Sequence, residues 1–294
     1  MKLALAPIPF FWTAEAVQAF YAEIAQTAVD IVYLGETVCY KRRGLRLPDW
    51  VAIGEMLVEH GKEVVLSSLV LVDGEVELKA TRRLCANDRF LVEANDMSAV
   101  ALRQGLPFVA GATLNLYNED ALTILAEAGA SRFVAALELS GEALTRLRAS
   151  GPAQIECEVL AFGRPALAYS ARCFTARNFD RGKDACEWVC EQQPDGIAVA
   201  TQEDASFLVI NGLQIHAANP VNYITELETL RQARVDILRI APEATGTATV
   251  IDAFRGALDQ RYTVDEALAL LASPAHGEGA NGYWRGVAGK THCP

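Results

Sequence analysis

Residues 2–34 read KLALAPIPFFWTAEAVQAFYAEIAQTAVDIVYL, one complete strand, helix and strand unit. Lys2–Ala6 and Asp30–Leu34 are short β-rich runs. Between them Thr13 can cap a helix that sets Val17, Phe20, Tyr21 and Ile24 on one face. The same alternation continues to about Phe254, with strands expected at Glu63–Ser67, Phe90–Glu93, Phe108–Ala110, Phe133–Leu137, Ile155–Leu160, Phe207–Ile210 and Ile237–Ile240. Helix punctuation falls between them. Pro48 suits a first turn with Gly61 past the end, Asn95, Asn118 and Ser140 suit N-caps, and Gly105 and Gly129 suit C-terminal stops.

Repeated βα units predict an α/β fold, a (β/α)8 TIM-like barrel, regular or distorted, as one domain over residues 1–294. Nine strand candidates is one more than a barrel needs. No glycine-rich dinucleotide fingerprint follows the first strand, which disfavours an open doubly wound sheet. In either architecture chemistry gathers where strands end. Gly35–Cys39 follows one strand, Glu138 another, and the stretch to Cys173 a third. A polar, Cys-bearing insertion after the seventh strand, at about 174–205, holds Cys186, Cys190 and the turn Pro194-Asp195-Gly196. A C-terminal extension at about 261–294 begins with a helix at Val264–Leu271 and ends in a glycine-rich tail.

The chain is 51% apolar and 21% charged, a globular composition. Its net charge of −11 repels phosphate backbones, so no nucleic-acid partner is expected. No apolar run approaches the ~18 residues of a transmembrane helix. The N-terminal segment does not resemble a secretory signal, and the expected compartment is the cytoplasm.

Seven cysteines is an odd number, and a chain of 294 residues has core enough without disulfide staples. A metal or catalytic reading therefore outranks a disulfide framework. Cys173, Cys186 and Cys190 lie in a charged stretch, and Cys39 sits past a strand end where it can meet them. Their spacing is compatible with an iron–sulfur cluster, which needs four thiolates. The spacing matches neither the C-x2-C pair of a typical structural zinc site nor the compact bacterial ferredoxin run, and zinc and unrelated cysteines remain the alternatives. Lys41, Arg42 and Arg43 follow Cys39, while Arg172, Arg177, Arg181 and Lys183 surround Cys173. Such cations favour thiolates or bind an anionic substrate, although a solvated loop is the commoner reason for them.

The other candidates are weaker. Cys157 shares a strand face with Ile155 and Val159 and reads as core, Cys85 ends a helix, and Cys293 lies in the tail. Glu156 and Glu158 point the other way, into the barrel or into a packed ion pair. His216 is the one histidine placed for an active site, and His60 reads as a helix end. No Ser-His-Asp set, P-loop or H-E-x-x-H helix is visible, so proteolysis is not expected.

Residues 158–173, EVLAFGRPALAYSARC, resemble the signature segment of the so-called peptidase U32 family, many of whose members are iron–sulfur proteins. Residues 33–43, YLGETVCYKRR, then CFTAR from Cys173, Cys186-x3-Cys190 and the final GYWR resemble one branch of it, which serves ubiquinone biosynthesis. Many members carry a further cysteine where this chain has Ala166, and Cys39 looks like its replacement. The resemblance implies a [4Fe–4S] cluster held by Cys39, Cys173, Cys186 and Cys190. It also implies oxygen-independent hydroxylation of the aromatic ring of a ubiquinone precursor, as a heterodimer with a related U32 subunit and with an organic oxygen donor such as prephenate. Other members hydroxylate RNA bases. An accessory subunit with a structural cluster is the alternative.

Overall fold

Seven strands pair in parallel in chain order: β1 (Lys2–Leu5), β2 (Ile31–Leu34), β3 (Glu63–Ser67), β4 (Leu91–Ala94), β5 (Phe108–Ala110), β6 (Ala130–Val134) and β7 (Glu156–Gly163). The chain then leaves the ring. β8 (Ala166–Tyr169), β9 (Ile197–Ala200), β10 (Ser206–Asn211) and β11 (Gln214–Ala217) form a separate antiparallel sheet in the order β8-β11-β10-β9. It returns through β12 (Val221–Asn222), antiparallel on β7, and β13 (Ile237–Ile240) enters between β7 and β1. Eight parallel strands thus close into a TIM barrel with helices outside. The computed structural model describes residues 1–272 and 279–293, so part of the expected extension, 273–278 and residue 294, lies outside the described residues.

Strand alternation divides the apolar residues into two cores. Ala4, Ile31, Tyr33, Val65, Val109, Val134 and Ile237 fill the barrel, whereas Leu3, Leu5, Val32, Leu34, Leu66 and Leu238 pack under the helices. Each fully buried Val or Leu contributes about 1.5–3 kcal/mol relative to exposure. A polar layer crosses the barrel interior. Glu158, fully buried, accepts from Arg239 Nε (2.6 Å) and the Tyr33 hydroxyl (2.5 Å), and Arg239 also pairs with Glu93 (2.8 Å). Nearer the bottom, Arg132 pairs with Glu63 (2.9 Å) and Glu156 (2.8 Å). These pairs keep the layer charged and mutually neutralised.

Most punctuation acts as expected. Thr13, Asn118 and Ser140 cap helices at Ala14–Ala25, Glu119–Ala128 and Gly141–Ser150, and Gly129 ends the second of these at φ 120°. Asn95 does not cap. Asp96 caps Met97–Leu102, while Asn95 is buried and donates to the Ser68 carbonyl (2.9 Å), because the residue just past β4 faces the neighbouring strand end. The sixth strand runs from Ala130 and not over Phe133–Leu137: it starts straight after Gly129, and its polar Arg132 is accommodated by ion pairs. Phe207–Ile210 is a strand outside the barrel, which accounts for the ninth candidate. The excursion is also longer than 174–205, since its sheet starts at Ala166 and ends at Ala217.

Candidate functional site

Cys39 is delivered by the turn after β2. Gly35 takes φ 127°, and a Cβ there would lie 2.8 Å from the Ser67 carbonyl oxygen, so glycine is required. Glu36 Oε1 then accepts from the Val38 and Cys39 amides (2.8 and 2.9 Å) and fixes the loop that carries the thiol. Cys173 begins the short helix Phe174–Asn178, its Sγ accepting from the Ala176 amide at 3.4 Å. That helix is tied to the β10–β11 turn, where the Gly212 amide donates to Thr175 Oγ1 at 2.8 Å. Cys186 and Cys190 bracket a bend made by Glu187 and Trp188, both at positive φ. Trp188 Nε1 donates to the Lys41 carbonyl (2.8 Å), and Lys41 Nζ donates to the Lys183 carbonyl (3.0 Å). The loop after β2 and the excursion are thereby stitched together.

All four cysteines line one small cavity, with Lys41, Arg42, Thr175, Lys183, Trp188, Val189 and Gly212. Among the described residues no group of three or more His, Cys, Asp or Glu side chains is placed to hold a metal ion. Burial pushes the Cys39 thiol up to about 11 and also raises Cys190, against the opposing charge of Arg42. Metal binding here must therefore displace protons. Arg42 is the buried cation of the site, only 4% exposed. Its guanidinium donates to the Pro9 carbonyl (3.0 Å) and Asn211 Oδ1 (2.7 Å), lies 3.7 Å from Glu36, and stands over the Phe11 ring.

A larger cavity of about 470 Å³ occupies the barrel mouth, at the C-terminal ends of the strands. The loop after β6, Ala135–Leu139, forms part of its rim. Arg239 with Glu93 reaches it from below, Arg164 with Glu243 (3.1 Å) flanks it, and Trp284 from the tail adds an aromatic wall. The excursion sheet covers one side with Tyr169, Gln214 and His216. Burial pushes the His216 imidazole down to about 4, so it is neutral at physiological pH. The two cavities share a wall. The Pro9 carbonyl, on the mouth, accepts from Arg42 of the cysteine cavity and from Gln214 Nε2 (2.9 Å) of the mouth itself.

Of the cations expected near the thiols, Lys41, Arg42 and Lys183 line the cysteine cavity. Arg43 stands over the Tyr40 ring, and Arg181 pairs with Glu187. Arg172 and Arg177 are exposed. Cys85 and Cys157 are buried in the outer core, and the Cys293 amide donates to Asn281 Oδ1 (2.7 Å) in the tail. Glu138 lies on the mouth rim and accepts from the Tyr117 hydroxyl (3.1 Å). Sequence reasoning missed Tyr169, Gln214, Arg164, Arg239 and Trp284 as lining residues. Arg164, Tyr169 and Trp284 sit in quoted motifs, but nothing in a motif says which cavity a residue faces.

The sequence profile of peptidase family U32 matches residues 13–291. Among solved structures, the U32 peptidase Mk0906 aligns at 14% identity, over 83% of this chain and 93% of its own, with a TM-score of 0.47. N-acetylneuraminate lyase from Aliivibrio salmonicida aligns at 10% identity, over 92% and 79%, with a TM-score of 0.47. Dihydropteroate synthase from Thermus thermophilus aligns at 13% identity, over 88% and 93%, with a TM-score of 0.44. Among the described residues no helix is long and apolar enough to cross a membrane.

Proposed function

Because the chain belongs to peptidase family U32, we propose that it is a UbiV-like iron–sulfur subunit of oxygen-independent ubiquinone biosynthesis. It would act with a UbiU-like U32 partner, as a heterodimer, in hydroxylating the aromatic ring of a ubiquinone precursor with an organic oxygen donor. The observation that carries this reading is the convergence of Cys39, Cys173, Cys186 and Cys190 on one cavity that shares a wall with the barrel mouth. These four would hold a [4Fe–4S] cluster, whose thiolate set they match in number.

When bound, such a cluster supplies redox chemistry that side chains lack. The chain's own residues do the rest. Lys41, Arg42 and Lys183 offset the negative charge of four thiolates. Arg42 and Glu36 hold the Cys39 loop in place, and Trp188 with Lys41 holds the Cys186–Cys190 bend against it. The mouth cavity would take the ring between Trp284, Tyr223 and the excursion sheet.

Anaerobic purification followed by iron and sulfide analysis and visible absorption tests the ligand set. Four iron and four sulfide per chain are expected, with Cys39→Ala losing most of both and Cys157→Ala losing neither. A full cluster in Cys39→Ala would overturn the assignment. Turnover of a ubiquinone precursor by this chain and a UbiU-like partner, singly and together, tests the reaction. A structural cluster in an accessory subunit is the second reading, favoured by the position of the cysteines at the joint between barrel and sheet. It expects turnover to survive without this chain.

A further inference from the structure

We infer that β9, the open edge of the excursion sheet, takes up an extended segment of another protein, one with an apolar middle and lysine or arginine at both ends. The inference goes beyond the proposed reaction and rests on neither the thiols nor the barrel mouth. Among the described residues β9 pairs with β10 alone, so alternate backbone groups along its other side have no strand to meet. The sheet's opposite edge, β8, lines the barrel mouth.

The edge is apolar and already shaped. Ala198 and Ala200 are exposed, Ile197 and Val199 are half-buried, and the run carries no charge and no proline. Lysine, proline and inward-pointing charges are the usual means of keeping a sheet edge from pairing. Phe207, 57% exposed, stands beside it where the register of β10 shifts against β9. The start of the strand is anchored to the barrel. Trp12 Nε1 donates to the Pro194 carbonyl (2.8 Å), and Gly196, at φ 79°, packs so closely that a Cβ there would lie 2.5 Å from Val209 Cγ1. An edge held in this way needs no ordering of its own when a strand is added to it.

The charges decide which partner fits. From Asp184 to Leu230 the sequence has no lysine or arginine. Asp195 lies just before β9, and Glu203 and Asp204 lie in the turn just after it, all three exposed. Both ends of the open edge are therefore acidic. A second copy of this chain, added parallel or antiparallel, would set acid against acid at each end, which costs affinity. An anionic lipid surface is repelled for the same reason. A strand with cations at both ends is attracted at both, and main-chain hydrogen bonds then run along its middle.

Fluorescence anisotropy with the anaerobically purified full chain tests this with three labelled peptides: RKVTVTVKR, the acid-ended EEVTVTVEE, and RKPPPPPKR, which keeps the cations but has no backbone donors in its middle. The first should bind one to one, at low salt at least about tenfold tighter than either of the others. Ala198→Lys and Glu203→Lys should each weaken it at least about fivefold. Glu127→Lys, an exposed site on the helix Glu119–Ala128, changes the net charge equally and should leave binding as it was. Hydrogen exchange read by mass spectrometry should slow over 197–200 when the first peptide is bound. Glu203→Lys decides alone if Ala198→Lys does not fold. Equal binding of the first peptide and either control, no saturable binding, undiminished binding by the folded variants, or no added protection at 197–200 would overturn the inference. A dimer of this chain that Ala198→Lys disperses, or binding to phosphatidylcholine vesicles that the same variant loses, would give the edge to another occupant and overturn it too.

Discussion

Replacing Arg42 with methionine should unlock the loop that carries Cys39. The side chain is 2% exposed and donates to the Pro9 carbonyl at 3.0 Å and to Asn211 Oδ1 at 2.7 Å, with Glu36 at 3.7 Å. Pro9 keeps two other donors, Asn211 and Gln214, so its loss is small. Asn211 Oδ1 loses a charged donor, worth about 1.5–3 kcal/mol. Glu36, its side chain 17% exposed, loses its cation at 3.7 Å but keeps its two backbone donors, a loss of about 1 kcal/mol. The two losses sum to about 2.5–4 kcal/mol, or a fall in Tm of about 5–8 °C for a domain of this size. Arg42→Lys keeps the charge but cannot reach two acceptors in fixed directions, and should lose about half as much. Urea unfolding followed by circular dichroism and tryptophan fluorescence would read the change as a shift in midpoint at constant slope. Unfolding of both variants within about 1 kcal/mol of the parent would refute the argument, since the bonds counted would then carry no net stabilisation.

Three further outcomes follow from particular residues. His216 has its folded pKa lowered by burial to about 4 from 6.5, so its neutral form contributes fully above about pH 6.5, and stability is lost as pH falls from there towards 4. The loss should total about 3 kcal/mol, and urea midpoints of His216→Phe should show a correspondingly shallower slope across that window. Asp96→Ala should cost about 1 kcal/mol by removing the cap bond to the Ser98 amide (2.8 Å), measured as the same midpoint shift. Gly212→Ala should destabilise more than Gly61→Ala, although both glycines have positive φ. A Cβ at 212 would meet the Arg42 guanidinium at 2.6 Å, whereas at 61 it meets nothing within 4 Å, and differential scanning calorimetry of the pair would read the difference.

The barrel was legible because most of its strands are short apolar runs that alternate with helices, three of them capped by Thr13, Asn118 and Ser140. Where the reading slipped, tertiary partners overrode local chemistry. Ser131 and Arg132 look like loop, yet Arg132 is buried by its pairs with Glu63 and Glu156, residues far away in sequence. Asn95 is as good a cap as Asp96 by type, and only the neighbouring Ser68 decides which one turns inward. Phe207–Ile210 has strand character without an address. Pairing with β9 and β11, not composition, places it outside the ring. The cysteines were found by counting and by position at strand ends, and they line one cavity. The mouth was harder. Its lid comes from β8 and β11, and the inward face of a strand cannot be read until its register is known. Arg42 was one of seven basic residues noted near the thiols, and its distinction lies wholly in being buried.

Ring closure here waits on a latecomer. β1 pairs with β2 on one side but with β13 on the other, so its second edge stays bare until residues 237–240 have been made. By then Cys190, the last of the four cavity thiols, has long since emerged. A growing chain can therefore assemble its sulfur-lined chamber on an unfinished arc of strands, with an apolar flank open to any passing edge. Chains cut short before Ile240 should aggregate and fail to fold as a smaller barrel, read as loss of the soluble fraction against the full chain.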